Sequence, residues 1–246
     1  MLPVEPSLVE VDSGWDFKVL IVNDALVVRW PRHRLAVEEI EHEVELLPVL
    51  APLLPVEVPR FEYVSREPWL VAYPLIAGEP LVAEDPDGVR AFLDALHAVD
   101  VDRIPAQRPD WLEIYREQAD EFRRVVLPLL DPDERSRGEG LLAEVETLTG
   151  FGPALTHSDL GPSHLLVRDR NLVGVIDWGD ARIGDPAIDY AWLLNGPFPG
   201  WDVDDELRRR AHFYHRLGPW FEVHYGDFTG RPEWVRSGLA GVRSRL

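Results

Sequence analysis

The chain of 246 residues has no cysteine and a single lysine, Lys18. Without thiols there is no disulfide framework and no thiolate nucleophile, and any metal must be held by oxygen or imidazole. Positive charge is scarce as well: 25 Lys and Arg against 44 Asp and Glu give a formal charge of −19. A phosphate backbone would be repelled, which argues against a nucleic-acid partner, whereas a cationic ligand would be attracted. Long hydrophobic runs are also missing. The most apolar stretch, VELLPVLAPLLPVEVP at 44–59, is cut by four prolines and carries two glutamates, so it cannot form a membrane-spanning helix. The opening MLPVEPSLVE has no basic region followed by an apolar run, so no signal peptide is expected. These gaps make a cytoplasmic protein with no membrane association the expectation. What the chain does have is a hydrophobic fraction of 46%, ample for the core of one large domain or two small lobes.

The patterning changes character along the chain. DFKVLIV and ALVVRW are β-branched runs joined through Asn23-Asp24, which predicts a hairpin with a two-residue turn. RLAVEEIEHEVELLPVL switches to helical spacing, ending where Pro48 and Pro52 intrude. RFEYVS and WLVAYPLI read as a second antiparallel pair. Beyond AGEP the segments DGVRAFLDALHAV, PDWLEIYREQADEFRRVVLPLL and PDERSRGEGLLAEVETL are helical, with Asp or Pro at plausible starts. In ALTHSDLGPSHLLVRDRNLVGVIDWGD two short apolar runs flank RDRN, which predicts another hairpin, and helices follow to the end. The expected fold class is α+β. A small antiparallel sheet with one helix occupies residues 1–77, a larger helical lobe 78–246, and a hinge falls at about 73–79.

The chemistry concentrates in two stretches, THSDLGPSHLLV at 156–167 and GVIDWGDARIGDP at 174–186. A hairpin between them would bring His164 and Asp177 to one end of a small sheet, with Asp159 on the loop before it. A carboxylate and a second oxygen or nitrogen ligand on neighbouring strand ends can hold Mg²⁺ against nucleotide phosphates, while a separate loop carboxylate positions an attacking hydroxyl. A zinc site made of His157, Asp159 and His164 is the rival metal reading, although strand alternation would point those side chains different ways.

HSDLGPSHLLV followed by GVIDWGDARIGDPAIDYAWLL resembles the catalytic and metal-binding segment of the aminoglycoside phosphotransferase family, a branch of the protein-kinase-like fold. The resemblance is strongest at 155–194 and extends over the first lobe. It implies a two-lobed kinase-like architecture, with Asp159 as the catalytic carboxylate and Asp177 as the principal Mg²⁺ ligand. His157 would be a structural member of the catalytic loop, and Asp189 would brace it. His164 stands where most kinase-like enzymes have asparagine, and it matches the branches similar to 2″-aminoglycoside and macrolide phosphotransferases. To ligate a metal its ring must be neutral. On the nucleotide side the resemblance implies a covering loop at Ser13 and Gly14, and a phosphate-contacting Arg29 in place of the usual lysine, paired with Glu43. A purine-contacting hinge at Tyr73, Leu75 and Ile76 completes that set. Glu113, Glu117 and Asp120 are candidate contacts for a polyamine.

The expected activity is transfer of the γ-phosphoryl group of ATP or GTP, with Mg²⁺, to a hydroxyl of a small, cationic molecule of the aminoglycoside type. A macrolide or a small metabolic alcohol is the alternative acceptor. A nucleotide-binding protein without transferase activity is the rival of another class, motivated by Arg29 and by a covering loop with only one glycine. The sequence leaves the oligomeric state open.

Overall fold

A computed structural model describes residues 6–11 and 16–246 of the chain. Two compact units make it up, Met1–Gln107 with His157–Ala181, and Arg108–Thr156 with Arg182–Leu246.

The first unit is built on an antiparallel sheet in the order β1-β2-β3-β5-β4. Its strands are β1 Leu8–Val11, β2 Phe17–Val22, β3 Leu26–Pro31, β4 Tyr63–Arg66 and β5 Trp69–Pro74. The turn between β2 and β3 sets Asn23 at φ 54° and Asp24 at φ 52°, the left-handed pair that a tight hairpin demands and that Asn and Asp tolerate. The register places Arg29 opposite Val19 on one side and Val71 on the other, so this cation sits in the middle of the sheet. Helix α1, Arg34–Leu50, starts at His33, whose Nδ1 accepts the Ala36 N–H. Pro48 lies inside its last turn, and the helix ends before Pro52 in a single tight turn, Ala51–Leu53. The Ala36 and Ile40 face of α1 packs on Phe17 and Val71 of the sheet.

A second sheet of the same unit joins β6 Glu79–Pro80, β8 Leu165–Arg168 and β9 Asn171–Val175 in the order β6-β8-β9. The RDRN segment forms its hairpin turn, with Asp169 at φ 51° and Arg170 at φ 66°. Helix α2, Pro86–His97, is anchored to this sheet through Asp85, which caps the helix at Gly88 N–H and accepts the Leu172 N–H at 2.8 Å.

The second unit is mainly helical. It contains α3 Trp111–Val125, α4 Pro132–Ala143, α5 Ala191–Asn195, α6 Asp205–Phe228 and α7 Pro232–Arg245, with one short ribbon of β7 Ala154–Thr156 and β10 Arg182–Gly184. A capping box between Asp131 and Glu134 starts α4. At the centre lies a buried polar relay. Trp111 Nε1 donates to the Tyr214 hydroxyl (2.7 Å), which donates to Asp185 (3.0 Å), and the same carboxylate accepts Arg210 Nε at 2.7 Å. Each of these buried side chains has at least one polar partner in the relay, as burial requires. The α+β class and the antiparallel sheet preceding helices follow the expectation from the sequence. Among the described residues no helix is long and apolar enough to cross a membrane.

Candidate active site

All of the proposed catalytic and metal-ligating residues fall within the first unit. Arg29 is buried in β3 and bridges two carboxylates. Nη1 donates to both oxygens of Glu43, at 3.1 and 3.3 Å, and Nη2 donates to Asp177 Oδ1 at 3.0 Å. Its guanidinium lies 4.1 Å from the centre of the Phe17 ring. Burial alone would lower the Arg29 pKa, but Glu43 and Asp177 overcome it and drive the value up. Glu43 does more than pair with arginine: its Oε1 also accepts the backbone N–H of Trp178 at 2.8 Å. One fully buried carboxylate on α1 therefore holds both Arg29 and the residue after Asp177.

Asp177 sits where β9 gives way to the WGD loop, at φ 68°, a left-handed conformation that costs a non-glycine residue about 1 kcal/mol or more. Burial pushes its carboxyl up, but Arg29, then His164 and His157, outweigh it, and the group is held below the usual carboxylate range. It is ionised at neutral pH. Ser158, beside Asp159, is the other left-handed residue of the site at φ 70°.

The two histidines have defined tautomers. His157 is buried; its Nε2 donates to the Ile176 carbonyl (3.0 Å) and its Nδ1 accepts the Asp159 N–H (3.3 Å), so it ties the catalytic loop to the strand end before Asp177. His164 Nδ1 lies 2.6 Å from the Asp159 backbone carbonyl. A carbonyl can only accept, so Nδ1 carries the proton and Nε2 keeps its lone pair in the neutral ring. That Nε2 lies 3.6 Å from Asp177 Oδ2. That separation would let His164 and Asp177 hold one Mg²⁺ between them, a hard cation that carboxylate oxygen suits well and that would supply charge neutralisation there. Among the described residues no group of three or more His, Asp or Glu side chains is arranged to hold a metal ion.

Asp159 projects from the loop with 61% of its side-chain surface exposed, and its Oδ2 lies 3.5 Å from His164 Nδ1. Partial desolvation is the main cause pushing its carboxyl up to about 7; His164 pulls it down, and Asp180, Asp177 and Asp16 push it up further.

Several neighbours were not singled out by the sequence motifs. Glu39, one helical turn before Glu43, is pushed up to about 9 by burial and by Asp16, Asp180 and Asp177. Asp16 pairs with His33 Nε2 at 2.9 Å. His42 Nε2 donates to the Ala181 carbonyl at 2.7 Å. The i, i+3, i+4 spacing of Glu39, His42 and Glu43 is the only trace that they share a face.

Of the remaining sequence candidates, Ser13 and Gly14 lie outside the described residues. Tyr73 is buried in β5, and burial pushes its hydroxyl up to about 12, against the pull of Arg29. The Leu75 N–H donates to the Ala25 carbonyl at 2.8 Å, and Ile76 is buried. In the second unit, Asp189 is buried just before α5. Glu113, Glu117 and Asp120 lie on the exposed face of α3, where Glu113 faces Arg116 at 3.6 Å and Asp120 pairs with Arg123 at 2.8 Å.

The chain is similar to known proteins. Viomycin phosphotransferase of Streptomyces vinaceus is 28% identical over 92% of this chain and 90% of its own length. The GDP complex of wild-type aminoglycoside 2'-phosphotransferase-IIIa superposes with a TM-score of 0.86 at 24% identity, covering 97% of this chain and 92% of that one, which establishes the kinase-like fold. Macrolide 2'-phosphotransferase MphH of Brachybacterium faecium superposes with a TM-score of 0.71 at 25% identity, covering 96% and 91%. The family model described as "Phosphotransferase enzyme family" (APH) matches residues 7–225, and the chain belongs to that family, a phosphotransferase with an alcohol group as acceptor.

Proposed function

We propose that the chain transfers the γ-phosphoryl group of ATP or GTP to a hydroxyl of a cationic, antibiotic-type small molecule, most closely of the aminoglycoside or viomycin kind. The observation that carries this reading is the bridge Glu43–Arg29–Asp177, with His164 Nε2 turned toward Asp177 and Asp159 standing beside His164. In this reading Arg29 neutralises phosphate charge, held by Glu43 as a buried donor fork. His164 and Asp177 would hold Mg²⁺, which when bound screens the phosphate oxygens and favours displacement at phosphorus. Asp159 orients the acceptor hydroxyl and takes its proton, and a carboxyl with a pKa of about 7 is matched to that task near neutrality. His157 keeps the loop backbone in place.

Residues 1–77, with Tyr73, Leu75, Ile76 and the Ser13-Gly14 segment, are assigned to the nucleotide, and residues 78–246 to catalysis and acceptor binding. Glu113, Glu117 and Asp120 are assigned to acceptor ammonium groups, and Asp189 to bracing the loop. A cytoplasmic location goes with the reading.

The test is nucleoside diphosphate release from ATP and from GTP with Mg²⁺ over a panel of aminoglycosides, viomycin, macrolides and small alcohols. Release stimulated by a cationic antibiotic supports the reading. Release stimulated only by macrolides or small alcohols would replace the acceptor, and nucleotide-dependent thermal stabilisation with no release on any acceptor would favour a nucleotide-binding protein instead.

A further inference from the structure

The last turns of α1 do not close against the rest of the first unit. Between them and the chain entering β4 lies a half-open groove of about 590 Å³. Val44, Leu47 and Ala51 form one wall, and Phe61 and Val64 face them. Arg60 is its one charged lining residue; it is exposed and makes no hydrogen bond or ion pair with a described residue. The volume is that of a small-molecule site, in the range of roughly 300–1,000 Å³. Apolar walls call for an apolar body, and a lone, unpaired guanidinium at the lip calls for one planar anion that it can grip with two N–H donors. The net charge of −19 disfavours an acidic protein segment, and the single guanidinium at the lip matches a single carboxylate.

We propose that this groove binds a small amphipathic monoanion, an aryl or alkyl carboxylate whose apolar part lies between α1 and β4 and whose carboxylate rests on Arg60. The groove does not overlap the residues assigned to phosphoryl transfer, yet its walls are continuous with the packing beneath them. Val44, Phe61 and Val64 pack on the cluster of Phe17, Ala36, Ile40 and Val71, and the Phe61 ring meets Tyr73 edge-on at 5.6 Å. Val44 directly follows Glu43, and Phe17 lies under the Arg29 guanidinium. Filling the groove therefore holds α1 in the position that pairs Glu43 with Arg29 and tightens nucleotide binding, a consequence that rests on the function proposed above.

The experiment is calorimetric titration of the full chain with naphthalene-1-acetate in the absence of nucleotide, repeated with Arg60→Glu and with Ala51→Trp, which fills the groove. Saturable binding is expected. It should weaken about tenfold or more in Arg60→Glu, through the loss of a charge-assisted contact, and disappear in Ala51→Trp. Arg60 is exposed, so that variant is expected to fold normally whatever becomes of the second. No binding, or equal binding to wild type and Arg60→Glu, overturns the site. Nucleotide affinity is then measured with the probe at saturation. A several-fold tightening supports the coupling and an unchanged Kd overturns it. A protein that binds the probe but no nucleotide under any condition refutes the proposed function and leaves the groove standing.

Discussion

Asp159 combines an exposed carboxylate with a raised pKa, and that combination decides how activity should respond to pH. Its acceptor role requires the ionised form. Because its pKa is raised to about 7, the ionised fraction is lost as pH falls through that value. We expect kcat/KM to fall about tenfold per unit below pH ~7 and to level off above it. Replacing Asp159 by Asn should lower kcat by roughly 10²–10⁴-fold while leaving nucleotide affinity within about twofold, because the side chain takes no part in the Arg29 bridge. A flat profile down to pH ~5.5, or normal turnover by Asp159→Asn, would remove Asp159 from the mechanism. The proximity of these residues was legible in the sequence because His164 and Asp177 flank one hairpin and Asp159 lies on the loop just before it, so that short spacing brings the side chains together. The tautomer of His164 was not legible. It depends on a hydrogen bond from Nδ1 to the backbone carbonyl of Asp159, and no residue type encodes that bond.

At the scale of elements, α1 is fixed to the loop after Asp177 at three points. Glu43 accepts a hydrogen bond from the Trp178 N–H, His42 Nε2 donates one to the Ala181 carbonyl, and Glu39 packs so closely that a Cβ on Gly179 would lie 2.9 Å from its own Cβ. Helical periodicity predicted α1, but which face would meet the loop follows from tertiary packing, and so Glu39 and His42 escaped notice. Glu39 has a measurable signature. Its pKa is about 9 in the folded chain against an ordinary 4.5, so the folded state binds one more proton than the unfolded state between those values. Stability must then fall as pH rises through that window. Glu39→Gln removes the titration, so in the nucleotide-free protein it should raise Tm relative to wild type at pH ~8 and leave it nearly unchanged at pH ~4.5. Equal effects at both pH values would show that Glu39 is ionised like any surface carboxylate. In the second unit the strand β10 presses on α3 at Gly184, where a Cβ would fall 1.9 Å from Trp111 Cζ3. Trp111 is fixed in turn by Tyr214 and the buried Asp185. It has no room to retreat, and Gly184→Ala should cost about 3 kcal/mol, seen as a lowered midpoint in urea with an unchanged slope. Nothing in the local sequence at 184–186 explains this glycine, because the residue it makes room for lies on a helix more than 70 residues away.

Across the whole molecule the excess of acidic over basic residues acts on whatever approaches it. A charge of −19 creates a field that concentrates cations near the surface and repels anions, and salt weakens that field over a Debye length of about 10 Å at 0.1 M. In the proposed reaction the nucleotide is an anion that would enter against the field, with Arg29, and Mg²⁺ arriving with the phosphates, offsetting the repulsion locally. A polyamine acceptor, as proposed, would be drawn in by the same charges. The two substrates should therefore respond to ionic strength in opposite directions. Between about 0.02 and 0.5 M KCl, KM for an aminoglycoside or viomycin should rise several-fold, while KM for the nucleotide stays level or falls. Little change in kcat is expected, since Arg29, Glu43 and Asp177 interact at contact distances that salt barely reaches. A neutral small alcohol, if it proves to be an acceptor, should show no such rise. Opposed salt slopes for donor and acceptor would mean that the composition of the chain selects for a cationic acceptor. Parallel slopes would mean that the acidic surface serves solubility alone and that recognition of the acceptor lies entirely in local contacts.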